Sequence, residues 1–218
     1  MNNILVVAVH PDDETLGCGG TLLKHKDNGD NIHWLICTTT AQDNEFSTTR
    51  KQEILDVSKM YNFDSIHNLE LETMRIDEYS MSTLIGKIST IIHKIKPSII
   101  YLPFKGDVHS DHRKIFNATY SCTKSFRYPF IKKIYMMETI SETEFAPSTK
   151  EDSFIPNSFV DISQYMDKKL EIMNIYKSEI ARHPFPRSIK NIQALGTFRG
   201  ATCGVEYAES FMLLKEIS

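Results

Sequence analysis

Two short clusters of histidine and carboxylate set the chemistry open to this chain. The first is His10-Pro11-Asp12-Asp13-Glu14 and the second is Asp107-Val108-His109-Ser110-Asp111-His112. Imidazole nitrogen and carboxylate oxygen are ligands that zinc favours, and a catalytic zinc takes three of them plus a water. His10 and Asp13 stand three residues apart across a turn stiffened by Pro11. A third ligand from the second cluster would complete an open site of two histidines and one aspartate. A metal so held lowers the pKa of water from about 15.7 toward about 7. A carboxylate next to it can take the proton. Each motif alone is weak evidence. HPDD is also a reasonable turn into a helix, since acids at a helix N-terminus favour the dipole, and HxxH recurs by chance. The two together, each placed after a buried strand, carry far more weight.

The elements that must position these clusters can be read from periodicity. Ile4–Val9 is a continuous apolar run, which suits a strand buried on both faces of a parallel sheet. A helix is predicted from Thr15 to about Asp27, with Asn28-Gly29 as its stop. Asn31–Thr38 reads as a second strand and Thr39–Ser47 as a polar loop. Thr48–Tyr61 reads as a helix with Ile54, Leu55, Val57, Ser58 and Tyr61 near one face. His67–Leu69 is a short strand candidate. Leu84, Ile85, Ile88, Ile91, Ile92 and Ile95 form a helical stripe that Lys96-Pro97 ends. Ser98–Leu102 is another buried strand, and a loop then leads to a helix over His112–Cys122. Ile134–Glu138 reads as a strand, Tyr165–Ile180 as a long amphipathic helix, and Tyr207–Lys215 as a terminal strand or helix. Strands alternating with helices predict a doubly wound, Rossmann-like α/β fold with a mostly parallel sheet flanked by helices. Such folds bind ligands at the carboxyl ends of the strands. Both clusters sit there.

Composition narrows the class. The chain has 218 residues, a net charge of −3 and a pI near 6.2, with 24% charged residues. That balance excludes the basic footprint of a nucleic-acid binder. The length suits one large α/β domain over residues 1–218. The N-terminus has no basic n-region and no long apolar core, so no signal peptide is read. No run approaches the roughly 20 apolar residues of a membrane span. A cytoplasmic protein is expected. Cys18, Cys37, Cys122 and Cys203 form no CxxC pair and read as reduced thiols packed as small hydrophobes.

At the residues quoted above, the chain resembles the PIG-L/LmbE-like zinc N-deacetylases. The first motif is VVAVHPDDETLGCGGTL, and the second is His109-Ser110-Asp111-His112 followed by Arg113. An Arg-xx-Glu pair, Arg50 and Glu53, and the segment Gly204–Phe211 (GVEYAESF) extend the resemblance along nearly the whole chain. It implies an LmbE-like fold and hydrolysis of an N-acetyl group on an amino sugar. It implies His10, Asp13 and His112 as zinc ligands and Asp12 as general base. His109 would stabilise the oxyanion and protonate the leaving amine, with Asp111 orienting it and favouring its cationic form. Removing one oxyanion donor typically costs about 10²–10³ in rate. Arg50 is implied near the substrate, and Glu14 contacts substrate or caps the helix. The same ligands would also accept Fe(II) or Co(II). The implied partner is a small amino-sugar substrate, and some members form homo-oligomers.

Other residues carry less. Gly17, Gly19 and Gly20 either let a sugar approach the backbone or allow close helix–sheet packing. His183, in His-Pro-Phe-Pro, lines the pocket or is exposed. Trp34 reads as core, and His25, His33, His67 and His93 as bland. The aromatic, irregular segment 126–157 is read as a lid or rim over the site or as an oligomer contact. Two rival functions stand beside the sugar deacetylase. One is an amidase acting on a thiol conjugate or an antibiotic-like or peptidic substrate. The other is a non-catalytic metal- or carbohydrate-binding module, which has no need of a free base such as Asp12.

Overall fold

In the computed structural model, residues 1–39 and 45–218 are described, the side chains of residues 45 and 46 excepted. Among the described residues, seven strands form one sheet: β1 (Asn3–Ala8), β2 (Asn31–Thr39), β3 (Ser65–Glu72), β4 (Ile99–Leu102), β5 (Lys133–Met137), β6 (Ser158–Asp161) and β7 (Ala208–Glu216). Six α-helices among the described residues accompany them: α1 (Asp13–Asp27), α2 (Glu45–Tyr61), α3 (Met81–Ile95), α4 (Ser110–Ser121), α5 (Met166–Met173) and α6 (Ile189–Cys203). The strand order is β3-β2-β1-β4-β5-β7-β6. β3 to β5 run parallel, and β7 and β6 close the edge antiparallel. The predicted doubly wound, mostly parallel α/β fold is the one observed.

Both faces of the sheet are covered because its central strands are apolar on both sides. Along β1, Leu5 and Val7 enter one core with Ile88, Ile92 and Ile100. Ile4, Val6 and Ala8 enter the other with Leu22, Trp34 and Tyr61. The order reverses between β1 and β4, which opens a crevice outside their carboxyl ends. The loops leaving those two strands carry the two histidine–carboxylate clusters.

α1 is broken at Cys18, where φ is −149° and ψ is 23°. The break frees amides that the Glu209 carboxylate of β7 takes up, from Gly20 at 2.9 Å and Thr21 at 2.7 Å. Lys169 of α5 completes the repair, donating to the Leu16 carbonyl and to Glu209. The C-terminal motif thus secures the helix that starts at Asp13. The glycines of this helix serve packing: a Cβ would meet Met137 at Gly17, the Tyr61 hydroxyl at Gly19 and Ile162 at Gly20.

Several elements depart from the sequence reading. Thr39 belongs to β2 and Glu45–Ser47 to α2; residues 40–44 of the expected loop lie outside the described residues. Leu55 is exposed rather than on the packed face of α2. The predicted helix over Tyr165–Ile180 stops at Met173, since the following turns deliver Tyr176 and Glu179 to the site described below. α6 escaped prediction because Gly196 and Gly200 interrupt its apolar stripe. Those glycines lie against Met166 and the Glu206 carbonyl. Cys203 is exposed, unlike the other three cysteines. Trp34 is core. His25 has a carboxylate neighbour after all, Asp30 at 2.9 Å. Among the described residues no helix is long and apolar enough to cross a membrane.

Candidate active site and metal centre

His10, Asp13 and His112 converge at the switch point. His10 Nδ1 lies 3.4 Å from His112 Nε2 and 3.9 Å from Asp13 Oδ2, and His112 Nε2 lies 3.3 Å from Asp13 Oδ2. Bonds of about 2.0–2.2 Å around a tetrahedral zinc separate its ligand atoms by roughly 3.4 Å. The three side chains therefore fit a small divalent ion without rearrangement, and their chemistry is the one such an ion prefers.

Each histidine is oriented from behind. His112 Nδ1 donates to Asp107 Oδ2 at 2.8 Å, which turns Nε2 toward the cluster as the atom that would bind an ion. Asp107 is buried, and its other oxygen accepts from the Thr143 hydroxyl at 2.7 Å. His10 Nε2 faces Asp111 Oδ2 at 3.4 Å. That same oxygen accepts the Met74 amide at 2.8 Å. Carboxylates placed this way fix ring orientation and raise ligand basicity. Burial opposes charge on both members of the central pair. It is outweighed in each: Asp13 and Asp107 raise His112 well above its ordinary pKa, and His112 and His10 hold Asp13 below the usual carboxylate range.

The cluster lies at a cavity of about 400 Å³ whose walls include His10, Asp12, Asp13, Arg50, His109 and Glu142. Asp12 has φ 135°, a conformation rare outside glycine. Burial raises its pKa well above the usual value, and Asp13 and Glu179 add to the effect while Arg187 opposes it. Arg187 Nη1 stands 3.5 Å from Asp12 Oδ2, and its Nη2 pairs with Glu179 at 3.1 Å. Arg50 also pairs with Glu179 and with Glu53, and sits over the Tyr176 ring.

Three sequence expectations change here. Asp111 was expected to orient His109, but its carboxylate stands 4.0 Å from His109 Nδ1 and closer to His10. His109 was expected to be cationic. Burial, with His10 and His112 nearby, instead lowers its pKa to about 4. Its Nδ1 accepts the Asp111 amide at 3.1 Å as the N-cap of α4, so the neutral ring carries its proton on Nε2. Glu14 was expected at the substrate or the helix cap. It is fully buried and absent from the cavity wall, so the substrate role falls, whereas the cap role holds: it accepts from the amide of Asp12, the N-cap residue of α1, and from the Thr15 and Tyr176 hydroxyls.

Burial raises Glu14 to about 7, above its ordinary value of about 4.3. The folded state therefore binds its proton more tightly than the unfolded chain. That contribution to stability is complete below about pH 4.3 and is lost as pH rises to about 7. Glu14→Gln should flatten the fall in Tm between pH 5 and pH 8. Melting curves with equal pH slopes in both proteins would contradict this.

Sequence reading missed Asp107, Glu142, Glu179 and Arg187. Asp107 stood in the quoted cluster, five residues before His112. Arg187 follows the stiff His-Pro-Phe-Pro loop, but that loop's His183 is exposed and away from the cavity. Of segment 126–157 only Glu142 reaches the cavity wall; its start, near Phe126, precedes β5 and lies at the opposite end of the sheet.

A family profile described as PIG-L: GlcNAc-PI de-N-acetylase matches residues 5–123, more than half of the chain. The diacetylchitobiose deacetylase of Thermococcus kodakarensis is 25% identical over 236 residues, covering 100% of this chain and 85% of that protein. Among solved structures, the conserved protein TT1542 from Thermus thermophilus superposes with a TM-score of 0.80 at 23% identity, over 100% of this chain and 97% of that one. The N,N'-diacetylchitobiose deacetylase from Pyrococcus horikoshii gives 0.78 at 19% identity, over 98% and 84%. These two show the same fold.

Proposed function

This chain belongs to the PIG-L family of de-N-acetylases, and on that premise we propose that it hydrolyses the acetamide of an N-acetylated amino sugar with a zinc ion held by His10, Asp13 and His112. The observation that carries the reading is the convergence of those three donors at tetrahedral spacing, beside a buried carboxylate, in a sugar-sized cavity. The ion supplies an activated water and polarises the acetamide carbonyl. The remaining work falls to this chain's side chains. Asp12, with its raised pKa, is the base that takes a proton from the attacking water. Nε2–H of neutral His109 donates to the oxygen that gains charge as the carbonyl becomes tetrahedral. The proton held by Asp12 then goes to the departing amine nitrogen, which frees acetate and a primary amine. Arg50 and Arg187, both anchored on Glu179, form the cationic side of the cavity and position the sugar.

The same groups could cleave a non-sugar amide, and substrate turnover separates the two. The test is metal analysis of the purified protein together with acetate release from a panel of N-acetyl amino sugars and nucleotide sugars. The expected result is about one zinc per chain and chelator-sensitive acetate release from at least one sugar. Release only from non-sugar acetamides would overturn the sugar assignment. An unchanged rate after chelation would overturn the metal.

A further inference from the structure

Beyond the groups that the hydrolysis uses, one carboxylate of the cavity wall has a buried oxygen with no partner among the described residues. Glu179 has two arginines, and Asp12 has Arg187. The carboxylate of Glu142 has no ion pair among the described residues, and its Oε2 is buried with no hydrogen-bond partner. Burial raises it to about 7. A buried, unpaired acceptor is costly, and a donor on a ligand in this cavity would satisfy it.

Its mounting is rigid. Glu142 sits in a turn closed by its own amide on the Thr139 carbonyl at 3.1 Å and by the Thr143 amide on the same carbonyl at 2.9 Å. The Glu142 carbonyl accepts the amide of Val108, the residue before His109. The Thr143 hydroxyl donates to Asp107, which holds His112. The turn after β5 is therefore tied on both sides to the loop that forms the metal cluster. A side chain held this way recognises a group at a fixed distance from the reacting carbon.

The geometry points to Glu142 as a specificity-determining residue that accepts a hydrogen bond from a ring hydroxyl of the amino sugar, in the same cavity as the acetamide under attack. The inference rests on the amino-sugar reading above. A carboxylate suits a sugar hydroxyl, which is a donor, and disfavours a substrate that presents a carboxylate or phosphate at that position.

The experiment measures kcat/KM for the wild-type protein, Glu142→Gln and Glu142→Ala on the accepted N-acetyl sugar and on each of its monodeoxy analogues, with metal content as a second readout. One deoxy analogue is expected to be roughly tenfold to hundredfold poorer than the parent sugar for the wild type. Glu142→Ala is expected to lose a similar factor on the parent sugar and little more on that analogue. Glu142→Gln, which keeps an acceptor oxygen, should fall between them. All three proteins should carry equal metal. An equal loss by Glu142→Ala on every analogue, or no loss on any, would overturn the assignment while the sugar reading stands. Acetate release from no sugar at all would overturn both.

Discussion

Asp12→Asn should reduce kcat/KM for acetate release by roughly 10²–10⁴, the usual contribution of a positioned general base, with metal content unchanged. The expectation follows from what Asp12 does and does not touch. It sits in the cavity wall next to a ligand, yet the metal-facing contacts belong to Asp13. Its burial and its carboxylate neighbours raise its affinity for a proton, which brings it nearer the working range of a base. Asparagine keeps the size and the tolerance of positive φ that this position demands, so the loop should hold its shape. What is lost is the ability to accept a proton. The sign of the pH dependence follows. In the proposed role Asp12 works deprotonated, so wild-type kcat/KM should fall as pH falls through its raised pKa. Asp12→Asn should lack that acid limb. Full activity in a metal-replete Asp12→Asn would remove Asp12 from the chemistry.

The parts legible in the sequence and the parts that were not differ in a physical way. The central strands could be read because burial on both faces leaves Ile4–Val9 and Ser98–Leu102 almost purely apolar. Strand ends then direct attention to the two clusters, and the structure brings His10, Asp13 and His112 within bonding range of one ion. The remainder of the site depends on long-range placement that no local pattern records. Asp107 and Asp111 lie four residues apart, yet the first faces His112 and the second His10. The resemblance assigned Asp111 to its near neighbour His109. Likewise Glu142, Glu179 and Arg187 come from irregular connections, where hydrophobic periodicity gives no register. Glu14 misled for the converse reason. A carboxylate in an active-site motif invites a substrate role, but this one is turned inward to hold the amide of Asp12.

His112→Ala should abolish stable metal binding, and with it activity, whereas Asp107→Asn should weaken metal affinity by about 10- to 100-fold. The two changes test different distances from the ion. In the proposed site His112 supplies a donor nitrogen, and it is fully buried. Its loss leaves two ligands and strands the carboxylates of Asp13 and Asp107 without their cationic or hydrogen-bonding partner. Asp107→Asn retains an oxygen for the His112 ring to donate to. It removes only the negative charge that makes Nε2 a better donor. The two are separable by metal content after dialysis against graded chelator and by the rise in Tm on adding metal, which follows RT ln(1 + [L]/Kd). That rise should vanish in His112→Ala and shift to higher metal concentration in Asp107→Asn. The wild-type affinity should itself fall with pH. Without an ion, Asp13 and Asp107 keep His112 protonated well above its ordinary range. Binding must displace that proton, so affinity drops by up to about tenfold for each pH unit below the raised value. Asp107→Asn removes one of the two carboxylates that hold the proton, so the fall in its affinity should begin at a lower pH. A His112→Ala protein that still held one ion per chain after dialysis would remove His112 from the ligand set. An Asp107→Asn protein with wild-type affinity would reduce Asp107 to a packing role.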